Sequence, residues 1–233
     1  MKYRTKLYVA LVGTAVVSTV LGLGVAYAQV KAFLLDEMRS KVMSISAAAA
    51  STINGDLLKT IHTRSDENSP NYKRVQDKLR KIRDASRRKD VYVKFVYTLI
   101  PREEDPKRFF FQVDAEEPTP DFSHYGDEVP DAEDDRLSDH LNEIFSPPNF
   151  IENQWGTWMT GFAPIHDGQG RYVATLGVDL RASDVVSQLR DLLRFGFFSF
   201  SWALLRALHS AFLLSRREAL SLQSLCKGVK EIG

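Results

Sequence analysis

The sequence predicts an α+β domain with a central antiparallel sheet and a long N-terminal helix, flanked by two transmembrane helices. Three observations lead to this class. Long apolar stretches lie near both ends of the chain, apolar residues recur at helical spacing in residues 31–60 and 70–90, and the period changes to two within residues 91–181. Strands joined by hairpin turns, without a helix between each pair, favour an antiparallel sheet.

Composition excludes several classes of protein. The chain has 233 residues, which allows one domain of ordinary size or two small ones. Its 31 basic and 30 acidic residues leave a net charge of +1, so no global field favours nucleic acid as a partner. The single cysteine, Cys226, rules out an intramolecular disulfide and a multi-cysteine metal site.

The first apolar stretch, residues 7–30, contains no charged side chain over its 24 residues. As a helix it measures about 36 Å, enough to cross a hydrocarbon core of about 30 Å. Lys2, Arg4 and Lys6 precede it, so residues 1–6 are predicted to be a cytoplasmic tail. A cleaved signal peptide is the alternative, because residues 26–28 (Ala-Tyr-Ala) resemble a cleavage site.

The second apolar stretch, residues 195–214, precedes Arg216 and Arg217, which mark a cytoplasmic end. Arg206 lies inside it and either extends toward the inner headgroups or acts as a functional intramembrane group. Two spans place residues 31–194 outside the cytoplasm as one domain. The predicted location is therefore the cell (inner) membrane, as a multi-pass protein.

Within residues 31–194, the helical pattern of residues 31–60 predicts a long stalk helix that continues out of the membrane. Residues 70–90 predict a second helix with nine basic residues from Lys73 to Lys89. Interspersed aspartates offer intrahelical ion pairs, so a solvated face is expected rather than a phosphate site.

The strand signals come in two pairs. Residues 91–100 and 108–114 predict one hairpin, and residues 157–166 and 171–181 predict another around the turn 167–170 (Asp-Gly-Gln-Gly). Between the pairs, residues 114–139 contain eleven carboxylates and one basic residue, Arg136. The spacing of ligands in a calcium-binding loop is absent, so this segment is expected to be a solvated loop. A short helix is predicted around residues 132–145, and an exit helix starts at Ser183.

No enzyme motif is found, so no catalytic residue is assigned. The chain contains no P-loop, no G-x-S-x-G and no H-E-x-x-H. Its five histidines are scattered along the sequence, and neither a metal nor another cofactor is expected.

Several segments together resemble the extracytoplasmic Cache-type (PDC-like, PAS-related) sensors of bacterial transmembrane receptors. They are residues 97–99 (YTL), 111–115 (FQVDA), 155–158 (WGTW), 160–165 (TGFAPI) and 177–180 (GVDL). The resemblance implies a PAS-like antiparallel sheet, a homodimer, and a pocket that binds an amino acid or small carboxylate.

A second resemblance lies in residues 215–233. Leu222, Leu225, Val229 and Ile232 have the 3-4-3 spacing of the first helix of a HAMP relay module, although Ser221 replaces a common proline. The whole order is similar to the N-terminal part of an RsbU-like (SpoIIE-type) serine phosphatase. This resemblance implies a cytoplasmic signalling partner beyond the chain. The alternative effectors are a histidine kinase, a cyclase and a chemoreceptor. The alternative function is that of a stand-alone binding protein or a truncated remnant.

Strand faces and the resemblance together give the candidate ligand-binding residues. On residues 91–100, Phe95 and Tyr97 share an apolar face. Asp179 shares a face with Gly177, and the resemblance implies that Asp179 holds a ligand amine. The full set consists of the aromatic walls, two carboxylates and possible partners of a ligand carboxylate: Tyr97, Trp155, Trp158, Asp114, Asp179, Lys94 and Arg108, with Arg102 as a further cation.

Overall fold

The computed structural model describes residues 3–88, 91–129, 136–153 and 156–230, with the backbone alone beyond residue 210. The chain divides into two compact units. One comprises Met1–Lys31 with Ser187–Gly233, and the other comprises Ala32–Val186.

The described α-helices and strands follow the predicted order, with two short additions at residues 55–58 and 151–153. The helix predicted over residues 31–60 ends at Ala50. The α-helices are α1 (Tyr3–Ala50), α2 (Gly55–Leu58), α3 (Pro70–Ala85) and α4 (Ser183–Lys230). The strands are β1 (Val93–Pro101), β2 (Phe109–Asp114), β3 (Ile151–Asn153), β4 (Gly156–His166) and β5 (Tyr172–Arg181). The three-residue strand β3 was not predicted, because so short a segment carries no periodic signal.

The five strands form one antiparallel sheet in the order β2-β1-β5-β4-β3. The fold class is therefore confirmed: α+β, a PAS-like antiparallel sheet with a long N-terminal helix. Strand β5 pairs with β1 on one side and β4 on the other, so it lies at the centre of the sheet. The predicted turn at residues 167–170 joins β4 to β5, and Gly170 takes a φ of +77° there.

One face of the sheet packs against α1 and α3. The predicted stripe of α1 is confirmed, since Val42 and Ala49 are buried in this core. Packing is close at Gly161 of β4, where an added Cβ would lie 2.8 Å from Val42 Cγ2 and 2.9 Å from the Val42 carbonyl oxygen. The backbone of α1 therefore lies directly on the sheet at this point.

Helix α3 begins where Ser69 accepts a hydrogen bond from the Tyr72 N–H at 3.2 Å, and Pro70 occupies its first turn. The expectation that its basic residues form a solvated face is wrong for Arg83, which is buried. Its Nη1 donates to Glu116 Oε1 at 2.8 Å and to the Ala115 carbonyl at 3.0 Å. A buried guanidinium needs such partners, and here they fix the chain just after β2.

The opposite face of the sheet is aromatic and is covered by segments of residues 115–129 and 136–150, with Val129 and Leu137 buried against it. Phe145 of this cover pairs through its backbone with Phe162 of β4. The expected solvated acidic loop is wrong at its start, because Asp114 and Glu116 are buried. Of the predicted short helix, residues 132–135 lie outside the described residues, and Ser138–His140 forms a 3-10 helix.

In the other unit, α1 and α4 run antiparallel. Segments 12–19 and 200–207 line a cavity of about 260 Å³ between them, while Leu23 lies 3.6 Å from the Cβ position of Gly196. Within the described part of the chain, one helical segment has the length and composition of a membrane span, Val12–Ala50, and its apolar window is unburied. Large apolar side chains of α4, such as Phe198 at 69% exposure, are also unburied.

The contact between Gly161 and Val42 provides a test of the packing. We expect Gly161→Ala to lower the free energy of unfolding by about 1–3 kcal/mol, because the new methyl group meets the Val42 backbone as well as its side chain, and the helix backbone cannot easily move aside. Chemical denaturation of the full chain in detergent measures this. Gly24→Ala, which meets nothing within 4 Å, is the control; equal stability of the two variants would contradict the described packing.

Candidate functional site

The candidate site lies on the aromatic face of the sheet, around the carboxylate of Asp179. Asp179 belongs to the central strand β5, opposite Phe95 of β1 and Thr160 of β4. Its side chain therefore points away from α1 and α3 and under the cover. Only 6% of the residue is exposed to solvent.

Two hydroxyl groups contact the Asp179 carboxylate. Thr160 donates to Oδ1 at 2.7 Å, and Tyr97 donates to the same oxygen at 3.3 Å. Burial raises the pKa of Asp179 to about 7, against the smaller lowering effect of these two hydrogen bonds. Among the described residues no cation reaches this carboxylate, which is unusual because buried carboxylates are ordinarily paired.

A second buried carboxylate, Asp114, lies at the end of β2, where its backbone pairs with Tyr97. Its oxygens accept hydrogen bonds from the N–H groups of Glu116 at 3.0 Å and Ser123 at 2.8 Å. Burial raises the pKa of Asp114 to about 6, and its charge also raises the pKa of Asp179. Two electrostatically coupled carboxylates therefore lie on either side of Tyr97.

Aromatic rings surround these carboxylates. The Phe95 and Trp158 rings meet edge to face with centroids 5.2 Å apart, and Tyr97 meets Phe111 in the same way at 5.1 Å. The absence of a side chain at Gly177 makes room for the Tyr97 ring, because any Cβ there would overlap it. Phe162 completes the floor beneath the cover.

The structure brings together four of the residues proposed from sequence: Tyr97, Asp114, Trp158 and Asp179. Trp155 lies outside the described residues. Lys94 stands at the rim, with Nζ 3.1 Å from Asp121 Oδ2 and 4.6 Å from the centre of the Phe95 ring.

The other two cations proposed from sequence lie elsewhere. Arg108 precedes β2 at the end opposite Asp114, and its Nη1 lies 2.9 Å from Glu128 Oε1. Arg102 pairs with Glu104 and lines a separate groove of about 1010 Å³ at the same end of the sheet.

Sequence reasoning missed Thr160, the residue with the shortest hydrogen bond to Asp179. A simple two-residue turn at 167–170 would place residue 160 opposite Gly177. His166 instead pairs with Tyr172, one residue farther along β5, and a register shift between Ile165 and His166 adds one more, so Thr160 lies opposite Asp179. The sequence carries no signal for this irregularity. The described residues contain no group of three or more metal-ligating side chains.

No known protein family matches the chain, and no curated protein matches it. Among solved structures, the ligand-binding domain of the Campylobacter jejuni chemoreceptor Tlp3 with L-valine is 16% identical at a TM-score of 0.42, covering 79% of this chain and 65% of that one. The same domain with 4-methylisoleucine gives 19% identity, a TM-score of 0.42 and coverages of 78% and 63%. This chain therefore spans less than two thirds of the length of these domains.

The raised pKa values predict how stability depends on pH. The folded domain holds protons on Asp179 and Asp114 that the unfolded chain releases near pH 4, so stability falls as pH rises from about 4 through 7. Asp66 and Asp167, whose pKa values are lowered, titrate below this window. We expect the melting temperature of the full chain to decrease between pH 5 and pH 8.

Asp179→Asn should remove the larger part of this decrease, because its amide does not titrate and its oxygen still accepts the hydrogen bond from Thr160. Glu104→Gln, at an exposed carboxylate in the β1–β2 connection, should leave the decrease unchanged. An unaltered pH profile in Asp179→Asn would show that Asp179 ionises normally in the folded protein.

Proposed function

We propose that the chain is a membrane-anchored sensor that binds a small, amine-bearing molecule outside the cytoplasm and relays its binding to a cytoplasmic effector. The observation that supports this most is the buried carboxylate of Asp179, which no described cation neutralises and which lies near a second buried carboxylate, Asp114. Burying a carboxylate without a cation lowers stability, and a ligand that brings a positive charge offsets this cost.

The position of Asp179 in the chain supports the relay. Four residues after Asp179, the backbone enters α4 at Ser183, and α4 continues without interruption to Lys230. A shift of β5 on ligand binding would therefore act directly on the helix that contains the second predicted span. A ligand drives such a shift only if it binds the two states of the domain with different affinity.

Membrane anchoring is supported by the two apolar helical segments. Residues 7–30 and 195–214 are the proposed spans, and the antiparallel pairing of α1 with α4 is the arrangement that two connected crossings require. Residues 1–6 and 215–233 would then lie in the cytoplasm, and residues 31–194 outside. The unburied apolar side chains of both helices suit contact with lipid.

The resemblance of residues 215–233 to a HAMP helix supports a homodimer in which α4 passes the signal on. An RsbU-like serine phosphatase is the effector that the order of segments implies. The residues with the HAMP spacing lie where the backbone alone is described or, for Ile232, outside the described residues.

The sole cysteine, Cys226, allows the relay to be tested without introducing a reporter site. The full chain, labelled at Cys226 with an environment-sensitive fluorophore and reconstituted in vesicles, is exposed to a panel of small amines, amino acids and carboxylates. We expect at least one compound to change the emission with saturation. The same compound should have no effect on Asp179→Asn and its full effect on Glu104→Gln.

Two outcomes would contradict the proposal. A response that persists in Asp179→Asn would place the ligand elsewhere. A compound that raises the melting temperature of the wild-type chain but never changes the Cys226 emission would separate binding from relay and leave no sensor function.

A further inference from the structure

We infer that the ligand of the Asp179 site is an organic ammonium ion that carries no carboxylate group. This inference rests on the proposed function and narrows its ligand class. Amino acids and small carboxylates both bring a negative charge, which a site must meet with a cation or with free N–H donors. The described site contains carboxylates and aromatic rings instead of cations or free N–H donors.

The strands supply almost no positive charge. Apart from histidine, the described strands contain two basic residues, Lys94 of β1 and Arg181 of β5. The Arg181 guanidinium lies over the Tyr92 ring at 4.2 Å, and the residue is exposed. Lys94 stands at the rim, but its Nζ already contacts Asp121 Oδ2 at 3.1 Å. A ligand carboxylate would have to compete with Asp121 for it.

Cations from outside the strands are also engaged elsewhere. Arg83 contacts Glu116 and the Ala115 carbonyl from the α3 side. Arg102 and Arg108 pair with carboxylates at the far end of the β1–β2 hairpin. Residues 130–135 and 154–155 lie outside the described residues, and their sequence includes no lysine or arginine.

Backbone donors near the site are occupied too. The N–H groups of Glu116 and Ser123, which point to the site from the cover, both donate to Asp114. They therefore do not form a pocket for a ligand carboxylate. They hold the Asp114 side chain in place, so the carboxylates of Asp114 and Asp179 both lie on the same face of the sheet as Tyr97.

The rings favour a cation as well. A ring face attracts an ammonium group within about 6 Å of its centre, and the attraction is stronger when the group is desolvated. Six buried aromatic side chains lie on this face: Phe95, Tyr97, Phe109, Phe111, Trp158 and Phe162. Lys94 itself shows the preference, since its ammonium lies 4.6 Å from the Phe95 centroid.

The test compares ligands that differ only in their charged groups. Isothermal titration of the full chain in detergent at pH 7.5 uses two sets: leucine, isoamylamine and 4-methylpentanoate, and phenylalanine, phenethylamine and 3-phenylpropanoate. We expect at least one amine to bind ten times or more tightly than its amino acid, and neither carboxylate to bind. Asp179→Asn should weaken that amine at least tenfold, whereas Lys94→Gln should leave its affinity within about twofold.

The outcomes separate the inference from the proposed function. If an amino acid binds as tightly as its amine, and Asp179→Asn weakens both, the inference is wrong while the sensor function stands. A loss of amino-acid affinity in Lys94→Gln would then identify Lys94 as the carboxylate partner. If none of the six compounds binds in an Asp179-dependent way to a chain that unfolds cooperatively, both the inference and the amine-binding function fail.

Discussion

Burial of the Asp179 carboxylate at the centre of the sheet is the constraint on which the rest of the site depends. An ionised carboxylate without a cation is costly in a low-dielectric interior, so its neighbours must donate hydrogen bonds or the group must take up a proton. Thr160 and Tyr97 provide the donors from the two adjacent strands. Neither donor is charged, so the negative charge of Asp179 is neutralised by a proton from solvent or by a cationic ligand.

Several features that look separate follow from this constraint. Gly177 lacks a side chain because the Tyr97 ring occupies that space on its way to Asp179. Asp114, on the other side of Tyr97, is held in place by N–H groups of the cover, and Arg83 fixes the same segment from the α3 side through Ala115 and Glu116. The site is thereby connected to the helix layer through the chain that follows β2, in addition to its direct connection to α4 through β5.

Features that depend on neighbouring residues in the sequence were predictable, whereas contacts between distant parts of the chain were not. The fold class, the four longer strands and the buried stripe of α1 followed from periodicity, because that signal is local and repeated. The pairing of Asp179 with Thr160 did not, because one irregularity near Ile165 changes which residues are opposite. The burial of Arg83 was also missed, since its partners lie more than thirty residues away and its helix reads as a solvated, charged face.

By itself, the sequence determined where apolar and alternating segments lie, and hence two candidate spans, a helical stalk and an antiparallel sheet. It also placed Tyr97, Asp114, Trp158 and Asp179 among the candidate ligand-binding residues. Only the tertiary structure decided that these four gather on one face while Arg102 and Arg108 remain at the far end with carboxylates of their own. The physical reason is that charge balance depends on the distances between side chains of different strands. These distances are determined by the strand register and by the cover, and no local pattern of residues encodes them.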